Sequence, residues 1–556
     1  DRARGLAHPL RVAPAFLYHS RTAFGELTSS CRGIADQAKK AVIGGNAQEE
    51  YAVSTGERYA GNRPNVVLIM TDQQRWNSLS CYNHPVVRTP NLDALANRGV
   101  RFEHAFVPIP LCTPSRACLH TGQYPSRHGI RANETFPLSN PATSLPALLR
   151  SAGYQTYLAG KDHLFGEEGR NVAFDRSVCF GHGGREPSPD ESPTDVAVRE
   201  SRKGLMPKKF VEVEPFPAEA CTTARITDHA IDLVDRAKDQ PFFLWLSYPD
   251  PHPPFVTCEP YASLYHDAPI DPPIGKPNES AEKPLRQQVS QRLMRWDEYT
   301  EADVRRIREI YYGMISFVDD QVGRFLSHLE TRGQRENTIF IFLSDHGEYL
   351  GDHARIRKDI ALYDSLIRIP FFVTWEAGLT GGRVEPEAMV ESVDVMPTLL
   401  DWLEVPIPDA IQGKSLVPLL SGQTNRHRDR IFGSYGVEGA AYGADDVADV
   451  DFDRMLTNPY SWGNWVSRLV MQGRFSTVRT HQWKLVYYAS GEGELYHLTE
   501  DPNELTNLYG QPAYREMERA LIESLLQWTM SHGSVEPPYR APEPPWISVA
   551  TELSRR

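Results

Sequence analysis

Three stretches of the chain are apolar without interruption and short enough to be strands. Residues 65–71 read NVVLIMT, residues 242–247 read FFLWLS, and residues 338–344 read TIFIFLS. A strand covered on both faces of a parallel sheet has this pattern, because neither side of the pleat meets water. Between them, apolar positions recur every three or four residues over 91–97, 142–151, 223–238 and 302–331. That period predicts helices. Strands alternating with helices predict an α/β fold, with a large mostly parallel sheet flanked by helices.

The last quarter reads differently. VRTHQWKLVYY and GELYHL, joined by the loop 489–493, predict a hairpin with a glycine-containing turn. A smaller C-terminal antiparallel-sheet subdomain is therefore expected. The division expected is an extension over 1–62, an α/β domain over 63–430 and an α+β subdomain over 431–556. Residues 182–220, 257–292 and 433–453 are rich in proline, glycine or charge and read as loops. There is no internal repeat.

Composition narrows the class. The chain has 556 residues, a formal net charge of −13 and 40% hydrophobic residues, as soluble globular enzymes do. An acidic balance disfavours non-specific binding to nucleic acid or membrane surfaces, though a few local cations can still hold an anionic substrate. No apolar run approaches the roughly 20 residues of a membrane span. The absence of a signal-peptide pattern leads us to expect a cytoplasmic enzyme. Seven cysteines without paired spacing do not read as a disulfide framework.

Four segments carry the candidate chemistry. Asp72 and Gln73 follow the first strand, His252 follows the second in Pro-His-Pro-Pro, and Asp345, His346, Gly347 and Glu348 follow the third. The fourth segment is Cys112-Thr113-Pro114-Ser115-Arg116. Loops at the carboxyl ends of strands build the site of an open α/β sheet. Each residue alone has a bland reading: Asp72 as a helix cap, Cys112 as a small buried apolar group, His252 as a turn residue. The conjunction of four is harder to attribute to packing.

On these residues the chain resembles the formylglycine-dependent sulfatases of the alkaline-phosphatase-like superfamily, over about residues 62–510. The signature C-x-P-S-R is Cys112 to Arg116, followed by Thr121-Gly122. Gly153-Tyr154-Gln155-Thr156 leads into Gly160-Lys161-Asp162-His163, and Asp345-His346-Gly347-Glu348 continues as Gly351-Asp352-His353 and Lys358. Leu495-Tyr496-His497-Leu498 and Asp501-Pro502-Asn503-Glu504 look like the family's C-terminal subdomain. The resemblance implies that a maturation enzyme converts Cys112 to the aldehyde formylglycine. Once hydrated, that side chain attacks the sulfur of a sulfate ester and then expels sulfate.

The resemblance also implies roles. Asp72, Gln73, Asp345 and His346, with the modified Cys112, would bind a divalent cation. Oxygen ligands suit calcium or magnesium. Gln73 stands where a second Asp is usual and His346 where Asn is frequent, which brings in manganese. Arg116, Lys161, His163, His252 and Lys358 would surround the sulfate and the nucleophile. His252, assisted by Lys358, would protonate the leaving alcohol, and His163 would help release sulfate. The expected substrate is a small-molecule or glycan sulfate ester, aryl or carbohydrate. Two alternatives stay open: a phosphonate monoester or phosphodiester hydrolase of the same superfamily, and a catalytically inactive binding relative. Tyr460, Trp462, Trp465 and His182 read as rim residues that either pack or stack on a substrate ring.

Overall fold

A computed structural model describes residues 63–533 except 134–135, 204–210, 239, 278, 295, 360, 438–442 and 444–472. The expected extension over 1–62 and the aromatic residues Tyr460, Trp462 and Trp465 lie outside the described residues. In chain order the strands are β1 (Asn65–Thr71), β2 (Val100–Phe106), β3 (Gln155–Gly160), β4 (Arg176–Gly181) and β5 (Gly184–Arg185). Next come β6 (Val211–Val213), β7 (Phe242–Tyr248), β8 (Phe255–Thr257), β9 (Thr338–Ser344), β10 (Phe371–Thr374) and β11 (Arg383–Glu391). The last are β12 (Arg430–Tyr435), β13 (Phe475–Thr480), β14 (Trp483–Tyr488) and β15 (Gly493–His497).

Nine strands form one sheet in the order β11-β2-β10-β9-β1-β7-β3-β4-β5. Its centre, β9-β1-β7-β3, is parallel, while β10 runs antiparallel to both its neighbours. The continuous apolar runs account for this centre. β1, β7 and β9 are buried at every position. Their alternate residues feed two cores. Val66, Leu68, Met70, Trp245 and Ile341 pack on one face, with helices Cys112–Thr121, Leu145–Ser151 and Val395–Trp402. Val67, Ile69, Leu244, Phe340 and Phe342 pack on the other, with Thr222–Arg236 and Glu301–Thr331.

The structure corrects several boundaries. The helix expected over 142–151 starts at Leu145, after a 3-10 turn over Pro141–Thr143, with Pro146 in its first turn. Residues 182–220 are not all loop: Ser192 and Asp195 form a capping box that starts a helix over Pro193–Arg202. Within 257–292 lies the start of a second helix, Leu285–Met294. Gly433 belongs to β12. The run VRTHQWKLVYY breaks at His481-Gln482, so the expected hairpin is part of a four-stranded antiparallel sheet, β12-β13-β14-β15. Helix Arg515–His532 packs on it.

One glycine fixes the approach of β3 to β7. Gly160 has φ of +112°, and a Cβ there would lie 1.8 Å from the carbonyl oxygen of Ser247. No neighbouring side chain can yield, because the obstacle is backbone. Gly160→Ala is expected to destabilise the protein by at least about 1–3 kcal/mol, measured by urea or thermal unfolding. An unchanged midpoint would show that the two strands can part.

Candidate active site

The order β9-β1-β7-β3 brings four carboxyl ends side by side. Thr71 lies level with Ser344 and with Tyr248, and Gly160 with Ser247. The loops that follow are tied at once: Asp72 N–H donates to Asp250 O (3.3 Å), Asp345 N–H to Thr71 O (3.1 Å) and Lys161 N–H to Ser247 O (2.8 Å). Cys112 enters from the side as the first residue of helix Cys112–Thr121 and is buried. A helix N-terminus favours negative charge there.

Asp72, Cys112, Asp345 and His346 are all buried, and each offers a ligand atom within 4.8 Å of the others. Their orientations suit a cation. His346 donates Nδ1–H to Gly347 O (2.9 Å), which leaves the Nε2 lone pair facing Cys112 Sγ at 3.3 Å. Gln73 donates Nε2–H to Glu348, so its Oε1 faces the opposite way, where it accepts from Lys358 Nζ (2.7 Å). Gln73 also donates its backbone N–H to Asp345 Oδ1 (3.0 Å). Lys358 Nζ lies 3.1 Å from Cys112 Sγ and 3.0 Å from His346 Nε2. These acceptors thus already converge on one positive centre. A hard or borderline divalent ion fits a donor set of two carboxylates, an amide oxygen and an imidazole nitrogen.

Arg116 is wholly buried and spans both carboxylates, Nε to Asp345 Oδ2 (3.0 Å) and Nη2 to Asp72 Oδ2 (3.1 Å). Its Nη1 donates to Lys161 O and Ser247 Oγ, both at 2.9 Å. The sequence reading put Arg116 among the sulfate donors. In the structure it clamps the two carboxylates. Lys161 Nζ pairs with Asp72 Oδ2 and lies 2.8 Å from His182 Nε2. Burial and Cys112 push Asp72 up, yet Lys161, His252 and Arg116 outweigh them and hold it at about 2. Burial raises the Cys112 thiol, but Lys161, Lys358 and His346 bring it well below the ordinary thiol range.

The remaining sequence-derived residues also meet here. His163 has φ of +49°, sits close enough to hydrogen-bond Cys112, and carries a buried Nδ1 without a protein partner among the described residues. His252 donates Nδ1–H to Pro253 O (2.5 Å), so Nε2 is its working nitrogen. Burial and Lys358 push His252 down to about 3. Sequence reasoning missed four contributors. Glu348 was quoted in a motif but given no role, although it orients Gln73. Ser247, inside an apolar strand, receives Arg116. Asn133 Oδ1 accepts from Thr113 N–H (3.0 Å) at the start of the Cys112 helix. His182 was read only as a rim residue, yet its ring stacks on His252 with centroids 3.6 Å apart. No motif marks Ser247, Asn133 or His182, and all four are brought to the site by tertiary contact.

Comparison with known proteins agrees with this geometry. Residues 64–405 match the family described as Sulfatase, and residues 457–531 match the C-terminal region of N-sulphoglucosamine sulphohydrolase. A multifunctional alkaline phosphatase superfamily protein of Trinickia caryophylli is 30% identical over 85% of this chain and 96% of its own length. An arylsulfatase of Clostridium perfringens is 29% identical over 83% of this chain and 94% of its own. The crystal structure of the phosphonate monoester hydrolase of Agrobacterium radiobacter superposes with a TM-score of 0.69 at 26% identity, covering 84% of this chain and 96% of that one. The chain belongs to the sulfatase family of the alkaline-phosphatase-like superfamily and is a hydrolase.

Proposed function

We propose that this enzyme hydrolyses sulfate monoesters through a formylglycine made from Cys112, beside a divalent cation held by Asp72, Gln73, Asp345 and His346. The observation that carries the reading is the meeting of a buried acceptor set with Lys161, Lys358, His163 and His252 around position 112. When present, the cation supplies charge stabilisation and the hydrated aldehyde supplies a nucleophilic oxygen that can later expel sulfate. The protein does the rest. Arg116 bridges the two carboxylates and favours the ionised form of each, against the burial and the Asp72 charge that push Asp345 up. Lys358 shares its acceptors with the cation site, so its three hydrogens turn to substrate oxygens once those acceptors are taken up. Lys161 has one hydrogen left after Asp72 and His182. His252 Nε2, assisted by Lys358, delivers a proton to the leaving alcohol once the substrate anion offsets Lys358 and favours the charged ring, and His163 receives one as sulfate departs.

A second reading, hydrolysis of phosphonate monoesters or phosphodiesters, is favoured by the likeness to the Agrobacterium radiobacter enzyme. The third, an inactive binding relative, lacks support, since every expected catalytic group is present and the relatives include an arylsulfatase.

Three measurements test the proposal. Made with a maturation enzyme present, the peptide holding Cys112 should carry an aldehyde by mass spectrometry, and Cys118, packed behind it in the core, should not. Fully active protein with only a thiol at 112 would refute the nucleophile. Chelation should lower the thermal midpoint of the wild type, with about 2.7 kcal/mol of stability at stake when metal stands at a hundred times its dissociation constant. Asp345→Ala should abolish that shift and reduce turnover by several orders of magnitude. A chelator without effect on wild-type unfolding would count against the cation. Finally, kcat/KM for an aryl sulfate should exceed that for the matched aryl phosphonate. Lys161→Ala should hurt the sulfate more, by about 2.7–4 kcal/mol in the transition state. A wild-type preference for the phosphonate, with Lys161→Ala silent on both, would select the second reading.

A further inference from the structure

His182 leaves the end of β4 (Arg176–Gly181) and is far in sequence from the motifs of the site, yet it touches two of its working groups at once. Lys161 Nζ is 2.8 Å from His182 Nε2. An ammonium has hydrogens to give and no lone pair, so Nε2 must be the acceptor, and the ring is neutral with its proton on Nδ1. The face of the same ring lies against His252, tilted by only 17° with centroids 3.6 Å apart. One ring therefore aims Lys161 by a hydrogen bond and backs His252 by a stack.

The backbone that carries the ring is anchored. Arg202 Nη1 donates to His182 O (3.3 Å), and Arg202 is paired with Glu214 deep in the fold. Arg202 ends helix Pro193–Arg202, and Glu214 N–H donates to Thr257 O (2.9 Å) at the end of β8. His182 thus enters the site on backbone held by a buried ion pair rather than on a loose rim. His252 has its own tie, Nδ1–H to Pro253 O. That tie fixes one edge of the ring but leaves it free to swing about that edge, and the His182 face closes the side onto which it would swing.

We propose that His182 is a positioning residue with two separable duties: its Nε2 directs Lys161 to a substrate oxygen, and its ring plane holds His252 in line with the leaving group. The inference rests on the assignment of Lys161 and His252 above and adds the residue that coordinates them. The duties are chemically distinct, so two substitutions divide them. His182→Phe keeps a flat ring for His252 and removes the acceptor for Lys161. His182→Gln keeps an acceptor for Lys161 and removes the stack.

The test compares kcat and KM for 4-nitrophenyl sulfate, whose leaving group departs without a proton, and phenyl sulfate, whose leaving group needs one. His182→Phe should lower kcat/KM by about tenfold or more on both substrates alike, because a hydrogen bond to a charged donor is lost. His182→Gln should stay near wild type on the nitrophenyl ester and fall about tenfold on the phenyl ester. Thermal midpoint and bound metal per chain are measured alongside, since neither duty predicts a change in them. Wild-type rates for His182→Phe would overturn the Lys161 duty. A loss in His182→Gln that is the same for both leaving groups would overturn the His252 duty. If the wild type prefers phosphonates, the same pair of leaving groups on aryl phosphonates tests His182 while the sulfate assignment alone falls.

Discussion

Two carboxylates, Asp72 and Asp345, must stay ionised beside each other in a space closed to water, and the rest of the site is arranged around that demand. At an effective dielectric near 20, two unit charges about 4 Å apart repel by about 4 kcal/mol. Arg116 answers from between them, with separate nitrogens on each carboxylate. The C-x-P-S-R spacing makes this possible: residues four apart share one helix face, so the guanidinium lies beneath the side chain at 112. The same guanidinium holds Lys161 O and Ser247 Oγ, so it also locks the loop after β3 to strand β7. Removing such a buried partner costs about 3–5 kcal/mol, because a charge is then left without compensation.

Legibility in the sequence followed burial. β1, β7 and β9 could be read because strands covered on both faces are apolar throughout, and their ends then located Asp72, His252, Asp345 and His346. The strands beyond β9 gave no such signal. β2 carries Arg101, Glu103 and His104 among its apolar positions, and β10 has four residues. Helix Pro193–Arg202 was hidden by charge, although Ser-Pro-Thr-Asp at its start is a capping box that a closer reading would find. Motif residues were legible because their spacing is local. Ser247, Asn133 and His182 act by contacts across the fold, and nothing in their local sequence separates them from ordinary polar residues; Glu348 stands inside a motif, but its hold on Gln73 is a contact across the fold.

The positive φ values around the site belong to the same logic. Gln73, His163 and Arg357 all take the left-handed region that side chains avoid. Each follows or flanks a residue whose direction is set by the sheet or the clamp, and each must turn back toward position 112 within one or two residues. Such backbone is sustained only where surrounding contacts over-determine it. Gln73 is the clearest case: Asp345 takes its backbone N–H, Glu348 its side-chain N–H, and Tyr311 donates to its carbonyl (2.8 Å).

Charge alone does not choose between sulfate and phosphorus esters here. Three cationic side chains, Arg116, Lys161 and Lys358, outweigh two carboxylates by one unit, and a divalent ion would add two more. A field of that sign attracts any tetrahedral anion and favours a dianion over the singly charged sulfate ester. On the proposed reading, a preference for sulfate would come from direction: how many non-bridging oxygens find a donor, and whether a second substituent collides with one. A sulfate ester presents three such oxygens and a diester two. Lys161 is the donor whose aim is most constrained, since Asp72 and His182 fix two of its hydrogens and leave one. Where that one hydrogen points decides whether the third oxygen is welcomed or a second substituent is excluded. Relatives with a similar frame and different ester preferences are what such a site should yield, because the field is common to all of them and only the aim of a few donors has to differ.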